Sequence, residues 1–501
     1  MMASAHHPMT LAGLLGDWVP AMPEAIATRM ISDLSLHSAT IAPGAAFVAV
    51  AGQRAHGIDH AEQAIARGAC VILHDELLDP ARRTQLSEQL PLIEVPQLRE
   101  RLPQLAARFW PGLDQLDLVA VTGTNGKTSL AWLLAQALDG AMIGTLGIGR
   151  PGQHQANTHT TPDVLSVYRH LAALQQQGMQ TVVLEASSHA LDQNRLAGLR
   201  WRSVIFTHLG HDHLDYHGSV EAYAAAKQRL FTEFSSERQL INADDAFGQT
   251  LIADLKARGL SPVRYGLQAD VDALATVSES TAAGLALTLR IGPHTLQVAS
   301  QLLGHHNAYN LLIVATELVQ RGYSAEAITQ CLERLSAVPG RMQAMLDSAA
   351  PSALGPEQVI IDYAHDPEAL RGALSACRAL TQGQLWCVFG CGGDRDRSKR
   401  PRMGRVAESL ADHVILTDDN PRHEDGLAII REIQAGMHYP ERARVQRDRA
   451  QAIALALHEA EAADVVLVAG KGHESEQIIG DQRLPFSDQQ QVAHWLEAQP
   501  C

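Results

Sequence analysis

The clearest chemical signature in the sequence is a glycine-rich loop that ends in a lysine and a threonine. Val121-Thr-Gly-Thr-Asn-Gly-Lys-Thr128 follows a β-branched apolar run and precedes the helical pattern Ser129 to Leu138. In this context backbone N–H groups and the helix dipole bind phosphate, the lysine neutralises the terminal phosphates, and the threonine hydroxyl can bind Mg²⁺. Val121 occupies the place of the first glycine in the general pattern, and the simpler alternative is a strand–helix turn with a surface lysine. We predict an ATP site at Gly123, Thr124, Asn125, Gly126, Lys127, Thr128 and Ser129.

Two residues further along could complete a metal site beside this loop. Glu185 ends the next apolar run, and His213 lies in the histidine-rich segment Gly210 to Gly218. A carboxylate, an imidazole and the Thr128 hydroxyl suit a Mg²⁺ ion that keeps some waters and bridges phosphates. A zinc site is the alternative, although no cysteine joins the histidines. Helix capping is the simplest interpretation of the remaining histidines, His208, His211 and His217.

The elements that must position these residues are short apolar runs, each followed by a helix-like segment, which is typical of α/β units. Each run stops at a polar residue or glycine. Because ligands bind outside the carboxyl ends of parallel strands, these polar residues should converge on one crevice. The first series is Leu118 to Val121, Thr181 to Leu184, Ser203 to Phe206, and Leu240 with Ile241. A second series implies a separate α/β domain: Val359 to Ile361, Leu385 to Phe389, Val414 to Leu416, and Val465 to Val468.

The remaining segments suggest three α/β domains, at residues 1–97, 98–340 and 341–501. Strands at Ala46 to Val50 and Cys70 to Leu73, with a helix at His60 to Arg67 between them, predict a small N-terminal unit. Alternating apolar positions in Ala273 to Gln301 predict antiparallel strands appended to the central, mostly parallel sheet. The turn Val338-Pro339-Gly340 marks the second boundary.

Composition narrows the functional classes. Of the 501 residues, 46% are hydrophobic, and the formal net charge of -15 argues against a general basic field for nucleic acid. No apolar run approaches the ~18 residues of a membrane span, so we expect no span. Six cysteines with only one close pair favour a reducing compartment, and we expect a cytoplasmic protein.

Six motifs in the second and third predicted domains resemble those of the Mur ligase family, ATP-dependent amide-forming enzymes of peptidoglycan precursor synthesis. They are Thr122-Gly-Thr-Asn-Gly-Lys-Thr128, Glu185-Ala-Ser-Ser-His189, Asp212-His-Leu-Asp-Tyr-His-Gly218, Asp362-Tyr-Ala-His365, Gly390-Cys-Gly-Gly-Asp-Arg-Asp396 and Ala469-Gly-Lys-Gly-His-Glu474. The segment Asp419-Asn-Pro-Arg422 resembles the motif of members that use meso-2,6-diaminopimelate rather than lysine.

The resemblance implies an N-terminal domain that holds a UDP moiety, a central P-loop ATPase-type domain and a Rossmann-like C-terminal domain that brings the amino acid. It also implies the reaction. The glutamate side-chain carboxylate of UDP-N-acetylmuramoyl-L-alanyl-D-glutamate attacks the γ-phosphate of ATP, and the diaminopimelate amine then attacks the resulting acyl phosphate. Phosphate is a better leaving group than a carboxylate oxygen, so ATP is consumed to activate the carboxylate. The protein contributes positioning and charge neutralisation. We expect a monomer.

Residue roles follow from the resemblance where the motifs match. Lys127 would hold the phosphates, and Thr128, Glu185 and His213 would bind Mg²⁺. Lys227 matches a lysine that the family carbamylates to make an anionic ligand for a second Mg²⁺, and an ordinary helical surface lysine is the alternative. Further ATP contacts would come from Asn307, Asn310, Arg341 and Asp362.

The resemblance also implies two substrate sites. The UDP-muramoyl-dipeptide would contact Leu36, Ser38, Gln53, Arg54, Ala55, Thr160, Thr161, Ser187, Gln193 and Arg195. Diaminopimelate would contact Arg395, Asp419, Asn420, Pro421, Arg422, Gly470 and Glu474. The substrate has two ammonium groups and two carboxylates, so lysine would leave Arg422 without its carboxylate partner, and an unpaired charge is costly.

The sequence departs from the family pattern at three places. His37-Ser38-Ala39 replaces Asp-Ser-Arg near the expected UDP site, His159 replaces an Asn, and Asp366 replaces a Thr. The rival interpretations are a lysine-adding or folylpolyglutamate synthetase-like ligase, a P-loop ATPase without an amino-acid acceptor, and a zinc hydrolase centred on His211 and His213.

Overall fold

The computed structural model describes residues 8–52, 55–155, 157, 159–268, 270–281, 283–345, 356 and 358–497. Its contacts group the chain into two compact units, divided between Val263 and Arg264. Both units are α/β, as predicted. The predicted domain boundaries near residues 97 and 340 stay predictions.

The first unit begins with a small parallel sheet. Strands β3, β4, β5 and β6 lie in that order and run parallel, while β1 and β2 form a separate antiparallel pair. The helix predicted at His60 to Arg67 is shorter, because Gly57–His60 forms a 3-10 turn before the α-helix starts. The elements are β1 Met9–Thr10, α1 Leu11–Leu15, α2 Glu24–Ala27, β2 Met30–Ile31, β3 Leu34–Ser35, β4 Ala46–Ala49, α3 Ala61–Ala66, β5 Val71–His74, α4 Pro80–Ser87, β6 Leu92–Glu94 and α5 Leu98–Phe109.

A larger sheet follows in the same unit. Its elements are β7 Asp117–Thr122, α6 Lys127–Ala137, β8 Ala141–Gly144, β9 Gly147–Arg150, β10 Gln153–Gln155, α7 Val164–Gln176, β11 Thr181–Glu185, α8 Ser188–Asp192, β12 Trp201–Phe206, α9 Leu214–His217, α10 Val220–Thr232, β13 Ser236–Asn242 and α11 Ala246–Ala257. The order is β10-β9-β8-β11-β7-β12-β13. Strands β8, β11, β7, β12 and β13 are parallel, and β9 and β10 are antiparallel additions.

This topology explains where the chemistry lies. Strand β7 is flanked by the parallel strands β11 and β12, and its residues are buried except at the start, which is why the sequence reads as a continuous apolar run. In register, Glu185 lies opposite Val121, and Phe206 lies opposite Thr122. The carboxyl ends of the three strands therefore meet at one edge of the sheet, as predicted.

The second unit begins with strands, three of which pair in antiparallel fashion. The division between the units falls after the first residue of β14 Val263–Gly266. The next elements are β15 Ala273–Thr281, β16 Gly284–Ile291, β17 His294–Ser300, α12 His306–Gln320 and α13 Ala325–Arg334. Strands β15, β16 and β17 are antiparallel, as the alternation in residues 273–301 predicts, and the register of β15 shifts between Val277 and Glu279.

A second mostly parallel sheet completes this unit. Its order is β18-β19-β23-β20-β21-β22, and only β18 runs antiparallel to its neighbour. The elements are β18 Gln343–Ala344, β19 Gln358–Asp362, α14 Pro367–Leu380, β20 Leu385–Phe389, α15 Lys399–Leu410, β21 His413–Leu416, α16 Gly426–Gln434, β22 Arg444–Val445, α17 Arg449–Glu459, β23 Val465–Ala469, β24 Glu476–Ile479, β25 Gln482–Pro485 and α18 Asp488–Glu497. Apolar clusters cover both faces of the sheet.

A buried ion pair joins α17 to α18. Arg449 donates from Nε and Nη2 to the two carboxylate oxygens of Asp488 at 2.7 and 2.8 Å, and both side chains are 0% exposed. Replacing Asp488 with alanine leaves the guanidinium buried without its counter-ion. We expect the free energy of unfolding to fall by about 3–5 kcal/mol, measured by chemical denaturation.

The control for this prediction is Asp481→Ala, which removes an exposed carboxylate paired with His423. We expect the control to change stability by less than about 1 kcal/mol. The double variant Arg449→Met with Asp488→Ala should be more stable than Asp488→Ala alone. Equal stability of Asp488→Ala and Asp481→Ala would contradict the assignment.

Candidate functional site

The glycine-rich loop lies between β7 and α6, as predicted, and Thr207 at the end of β12 holds it in place. Gly123 has a φ of +151°, and a Cβ there would lie 1.8 Å from Thr207 Oγ1, so only glycine fits. Thr207 Oγ1 donates to Asn125 O at 2.8 Å, and Thr124 N donates to His208 O at 2.8 Å. Gly126 has a φ of +85° and begins the helix directly before Lys127.

Two lysines converge on one carbonyl of this loop. Lys127 Nζ donates to Gly123 O at 2.9 Å and to Thr124 O at 2.8 Å. Lys227 Nζ, from α10, donates to the same Gly123 O at 2.8 Å. The two lysines predicted to belong to the site therefore share one acceptor, although 100 positions separate them in the sequence.

Lys227 is not the surface lysine of the simpler alternative. Its residue is 1% exposed, and Nζ lies 4.4 Å from the centre of the Tyr223 ring. Burial, together with the charge of Lys127, holds the pKa of this ammonium well below its usual range, and Asp212 opposes the shift. A lowered pKa favours the neutral amine, which is the form that reacts with CO₂.

Glu185 meets the helix start and a residue from the neighbouring strand. Thr128 Oγ1 donates to Glu185 Oε2 at 2.9 Å. Thr145 donates from its backbone N to Oε1 at 2.8 Å and from Oγ1 to Oε2 at 3.2 Å. The Glu185 residue is 0% exposed, so three protein donors orient a buried carboxylate. Oxygen donors of this kind fit Mg²⁺.

His213 lies in a cluster of rings rather than against Glu185. Its ring centre is 4.8 Å from that of His189 and 6.3 Å from that of Tyr223. Burial lowers the pKa of His213, and the nearby Lys127 and Lys227 lower it further while Asp212 raises it. Burial and the neighbouring histidines bring the pKa of His189 to about 4. Neutral imidazoles are the form that binds metal ions.

The helix capping predicted for the histidines is not seen at the N-terminus of α9. His213, at φ +54°, precedes α9, and no side chain bonds the N-terminus of that helix. His217 lies in its last turn, with its ring 5.5 Å from that of His189. Within the ranges given above, no group of three or more His, Cys, Asp or Glu side chains is arranged to hold a metal ion by itself.

Five of the ten residues predicted for the muramoyl-dipeptide form one hydrogen-bonded group, which Thr160 joins through Thr145. Thr161 Oγ1 donates to Ser187 Oγ at 3.1 Å, and Arg195 Nη1 donates to Thr161 O at 2.8 Å. Arg195 also donates twice to Gln193 Oε1, at 3.1 and 2.7 Å. Thr160 Oγ1 lies 3.1 Å from Thr145 Oγ1, which ties this group to Glu185. The structure thus brings these five of the ten predicted residues to the edge that carries the phosphate loop.

The structure describes three of the five N-terminal residues predicted to contact the UDP-muramoyl-dipeptide. Ser38 is buried and donates to Gln63 Oε1 at 2.7 Å, and Leu36 packs against the core of the first unit. Ala55 O accepts a hydrogen bond from Gly52 N, whereas Gln53 and Arg54 lie outside the described residues.

His37, one of the departures from the family pattern, forms an ion pair with Asp163 at 3.3 Å. Burial raises the pKa of the Asp163 carboxyl, but hydrogen bonds from His37 and Ser166 outweigh burial and lower it to about 2. The same contact raises the pKa of His37. The substituted histidine therefore joins the N-terminal sheet to the helix that follows the paired threonines.

In the second unit, two pairs of predicted ATP contacts are each connected. Asn310 Nδ2 donates to Asn307 Oδ1 at 2.8 Å, and both side chains are buried in α12. Asp362 accepts from Met342 N at 2.7 Å and Ala364 N at 2.8 Å. Burial raises the pKa of Asp362 and the charge of Arg341 opposes it. The Arg341 guanidinium lies 4.9 Å from the Tyr363 ring centre.

The residues predicted for the amino acid also cluster. Asn420 Nδ2 donates to Glu474 Oε2 at 2.8 Å, and Arg422 Nη1 donates to Gly393 O at 2.7 Å. A Cβ on Gly470 would lie 2.7 Å from Asp419 Oδ2, so this glycine admits the carboxylate. A Cβ on Gly393 would lie 1.9 Å from Pro421 O. Arg395 is exposed on the same loop.

Sequence reasoning missed two residues of the first unit. Thr145 directly follows β8, so the rule that polar residues lie at strand ends could have identified it. Because β8 itself ends in Gly144, the sequence shows no direct step from an apolar run to a polar residue there. Tyr223 lies one helical turn before Lys227, and its OH is 3.1 Å from Thr124 Oγ1. The spacing of Tyr223 and Lys227 was a usable signal.

The tight fit at Gly123 leads to a prediction. Gly123→Ala must displace Thr207 or the loop, so we expect the apparent KM for ATP to rise about tenfold. Gly152→Ala is the matched control, because Gly152 also has a positive φ of +81° but no atom within 4 Å of a Cβ. Steady-state kinetics of both variants, with melting temperatures, provide the test. An unchanged KM for ATP in Gly123→Ala would contradict the assigned loop geometry.

Over the described part of the chain, no helix combines the length and apolar character needed to cross a membrane.

Comparison with known proteins covers nearly the whole sequence. The Mur ligase family catalytic domain matches residues 30–110, the Mur ligase middle domain matches residues 121–317, and the Mur ligase glutamate ligase domain matches residues 340–472. These three families follow one another along the chain in the order of the predicted domains.

Individual relatives match over nearly their full lengths. The UDP-N-acetylmuramoyl-L-alanyl-D-glutamate--2,6-diaminopimelate ligase of Alkalilimnicola ehrlichii is 46% identical over 486 residues, which cover 93% of this chain and 95% of the relative. The protein of the same name from Chromobacterium violaceum is 43% identical over 484 residues, covering 95% and 96%. A solved structure of a ligase with that name is 33% identical, with a TM-score of 0.68, and covers 98% of this chain and 99% of its own.

Proposed function

Because the chain belongs to the Mur ligase family, we propose that it joins meso-2,6-diaminopimelate to UDP-N-acetylmuramoyl-L-alanyl-D-glutamate at the expense of ATP. The observation that carries the proposal is the near full-length similarity to relatives named for this reaction. The acidic and cationic side chains around Asn420 and Arg422 support the choice of amino acid.

The chemistry follows from the leaving groups. The glutamate carboxylate of the dipeptide attacks the γ-phosphate of ATP, so a carboxyl–phosphate bond forms and ADP leaves. The free amine of diaminopimelate then attacks that carbonyl, the amide forms, and phosphate leaves. Carboxylate oxygen is a poor leaving group and phosphate a good one, so the protein's task is to position the reactants and neutralise charge.

Residues of the first unit serve the nucleotide. We assign the backbone of residues 123–129 and the Lys127 ammonium to the phosphates. Thr128, Glu185, His213 and a carbamylated Lys227 would hold Mg²⁺, which when bound neutralises charge on the phosphates. The buried carboxylate and hydroxyl supply suitable oxygen donors. Lys127 must exchange its contacts with Gly123 and Thr124 for phosphate oxygens when ATP binds.

The remaining predicted residues serve the other parts of the reaction. Arg195 offers a guanidinium for a substrate carboxylate, with Thr160, Thr161, Ser187 and Gln193 beside it. Asn307, Asn310, Arg341 and Asp362 are assigned to the adenosine and phosphates. Leu36, Ser38, Gln53, Arg54 and Ala55 are assigned to the UDP moiety. We keep the division into a UDP domain at 1–97, an ATP domain at 98–340 and an amino-acid domain at 341–501.

We place the reaction in the cytoplasm and expect a monomer. Cys70, Cys331, Cys377, Cys387 and Cys391 are free thiols, which suits a reducing compartment that also supplies ATP.

Phosphate release tests the proposal directly. We expect release only when ATP, UDP-N-acetylmuramoyl-L-alanyl-D-glutamate and diaminopimelate are all present, and Mg²⁺ chelation should stop it. Release with ATP alone would indicate an ATPase without an acceptor. Release that needs lysine or a folate substrate in place of these substrates would indicate another ligase of the superfamily.

A further inference from the structure

One lysine for which the sequence predicts no role lies among the residues predicted to bind diaminopimelate. Lys471 follows Gly470 after strand β23 and is 0% exposed. Its Nζ donates to Glu474 Oε2 at 2.9 Å, to Asn420 Oδ1 at 3.1 Å and to the backbone O of Glu476 at 2.7 Å. The three hydrogens of the ammonium therefore have three acceptors, and two of these belong to residues predicted to bind the amino acid.

The choice of lysine at this position is informative. Only five of the 40 Lys and Arg residues of the chain are lysines. An ammonium directs three donors to three sides, whereas the planar guanidinium of arginine suits a flat carboxylate. The three acceptors come from the Asp419-Asn-Pro-Arg422 segment, from Glu474 and from the start of β24, so Lys471 joins separate segments of the chain.

In the described part of the chain, hydrogen bonds to the Glu474 carboxylate involve only one of its two oxygens. Its Oε2 accepts from both Lys471 Nζ and Asn420 Nδ2. Among the described residues, none donates a hydrogen bond to its Oε1. Glu474 is partly exposed, with 32% of its side chain accessible. One oxygen is thus held by the protein, and the other can accept a hydrogen bond from a substrate ammonium.

The charges add a second argument. Arg395 and Arg422 balance Asp419 and Glu474, so Lys471 leaves this group with one excess positive charge. At the moment of attack, with its reacting amine neutral, diaminopimelate has one ammonium and two carboxylates and is a net anion. Lysine in the same state has one ammonium and one carboxylate and is neutral. The excess charge therefore favours the diacid.

We infer that Lys471 is a positioning and specificity-determining residue for the amino-acid pocket, which fixes Glu474 and Asn420 and favours an acceptor with two carboxylates. This inference rests on the proposed function. The unmodified enzyme is therefore assayed first, and failure to form the diaminopimelate product would count against the proposed function itself.

The test is Lys471→Met, which keeps an unbranched side chain only one atom shorter and removes the charge, with exposed Lys256→Met as control. We expect the KM for diaminopimelate to rise at least tenfold while the KM for ATP changes less than twofold. The ratio of kcat/KM for diaminopimelate to that for lysine should fall. Addition of Lys471→Met to Glu474→Gln should raise the KM for diaminopimelate by a smaller factor than Lys471→Met does alone, because positioning acts through Glu474 whereas the loss of charge acts in both backgrounds.

Three results would overturn the inference. These are an unchanged KM for diaminopimelate in folded Lys471→Met, equal increases in the KM values for diaminopimelate, ATP and the UDP-muramoyl-dipeptide, or fully additive effects with Glu474→Gln. If Lys471→Met does not fold, Glu474→Gln alone decides. Glu474→Gln removes a negative charge and so increases the net positive charge of this group of residues. The ratio of kcat/KM for diaminopimelate to that for lysine should therefore rise, even as both kcat/KM values fall. A lower ratio would refute the charge argument.

Discussion

Replacing Lys227 with alanine is expected to lower kcat about 100- to 1,000-fold, as removal of one preorganised charge-stabilising group does in other enzymes. Lys227 is buried beside the phosphate loop, and its ammonium has a lowered pKa. A neutral amine at this position can attack CO₂, forming an N–C bond and releasing a proton. The resulting carbamate would be an anion next to the proposed Mg²⁺ site. Initial rates with all three substrates at saturation measure the effect.

Lys256→Ala is the control, because Lys256 is an exposed lysine in α11. It should leave kcat within a factor of about two. Added formate or acetate should restore part of the activity of Lys227→Ala, because a short carboxylate can replace the missing anion. Labelled bicarbonate should give a carbamate NMR signal that Lys227→Ala lacks. Full activity of Lys227→Ala would remove this lysine from the mechanism.

Replacing Arg422 with alanine is expected to raise the KM for diaminopimelate about 10- to 100-fold, because a hydrogen bond to a charged group contributes about 1.5–3 kcal/mol. The guanidinium is held by Gly393 O, and its backbone N donates to Ile478 O at 3.0 Å. In the proposed site, these contacts hold Arg422 where its guanidinium pairs with the second carboxylate of the substrate. The KM for ATP should stay within a factor of about two, since the nucleotide contacts are other residues.

Lysine as the acceptor sharpens this prediction. It lacks the second carboxylate, so Arg422→Ala should change its KM little, and the preference for diaminopimelate should shrink. Arg371→Ala, at an exposed position of α14, is the matched control. A large loss of ATP affinity in Arg422→Ala, with diaminopimelate affinity retained, would mean that the motif has been assigned to the wrong ligand.

Local sequence patterns were sufficient for the frame of the molecule. Apolar runs that stop at Thr122, Glu185 and Asp362 predicted three strands, because the strands of a parallel sheet are buried on both faces. They also predicted the polar edge of each sheet, because ligands bind outside the carboxyl ends of such strands. The structure confirms those strands within a residue or two. The phosphate loop was equally visible, since its glycines and the following helix are consecutive in sequence.

Contacts between distant residues could not be predicted in this way. Thr128 and Glu185 lie 57 residues apart, and their hydrogen bond depends on the order of strands β7 and β11 in the sheet. The position of Lys471 among three acceptors depends on segments from two sides of the pocket. Periodicity determines which face of an element is buried, but it does not determine which polar side chains meet there.

The identity of the product tests the central claim most directly. The protein is incubated with ATP, Mg²⁺, UDP-N-acetylmuramoyl-L-alanyl-D-glutamate and an equal mixture of diaminopimelate and lysine, and the nucleotide products are analysed by mass spectrometry. We predict that ADP and the diaminopimelate-containing tripeptide accumulate in equal amounts, with little lysine adduct. ADP without a new amide, or a lysine adduct as the main product, would contradict the account.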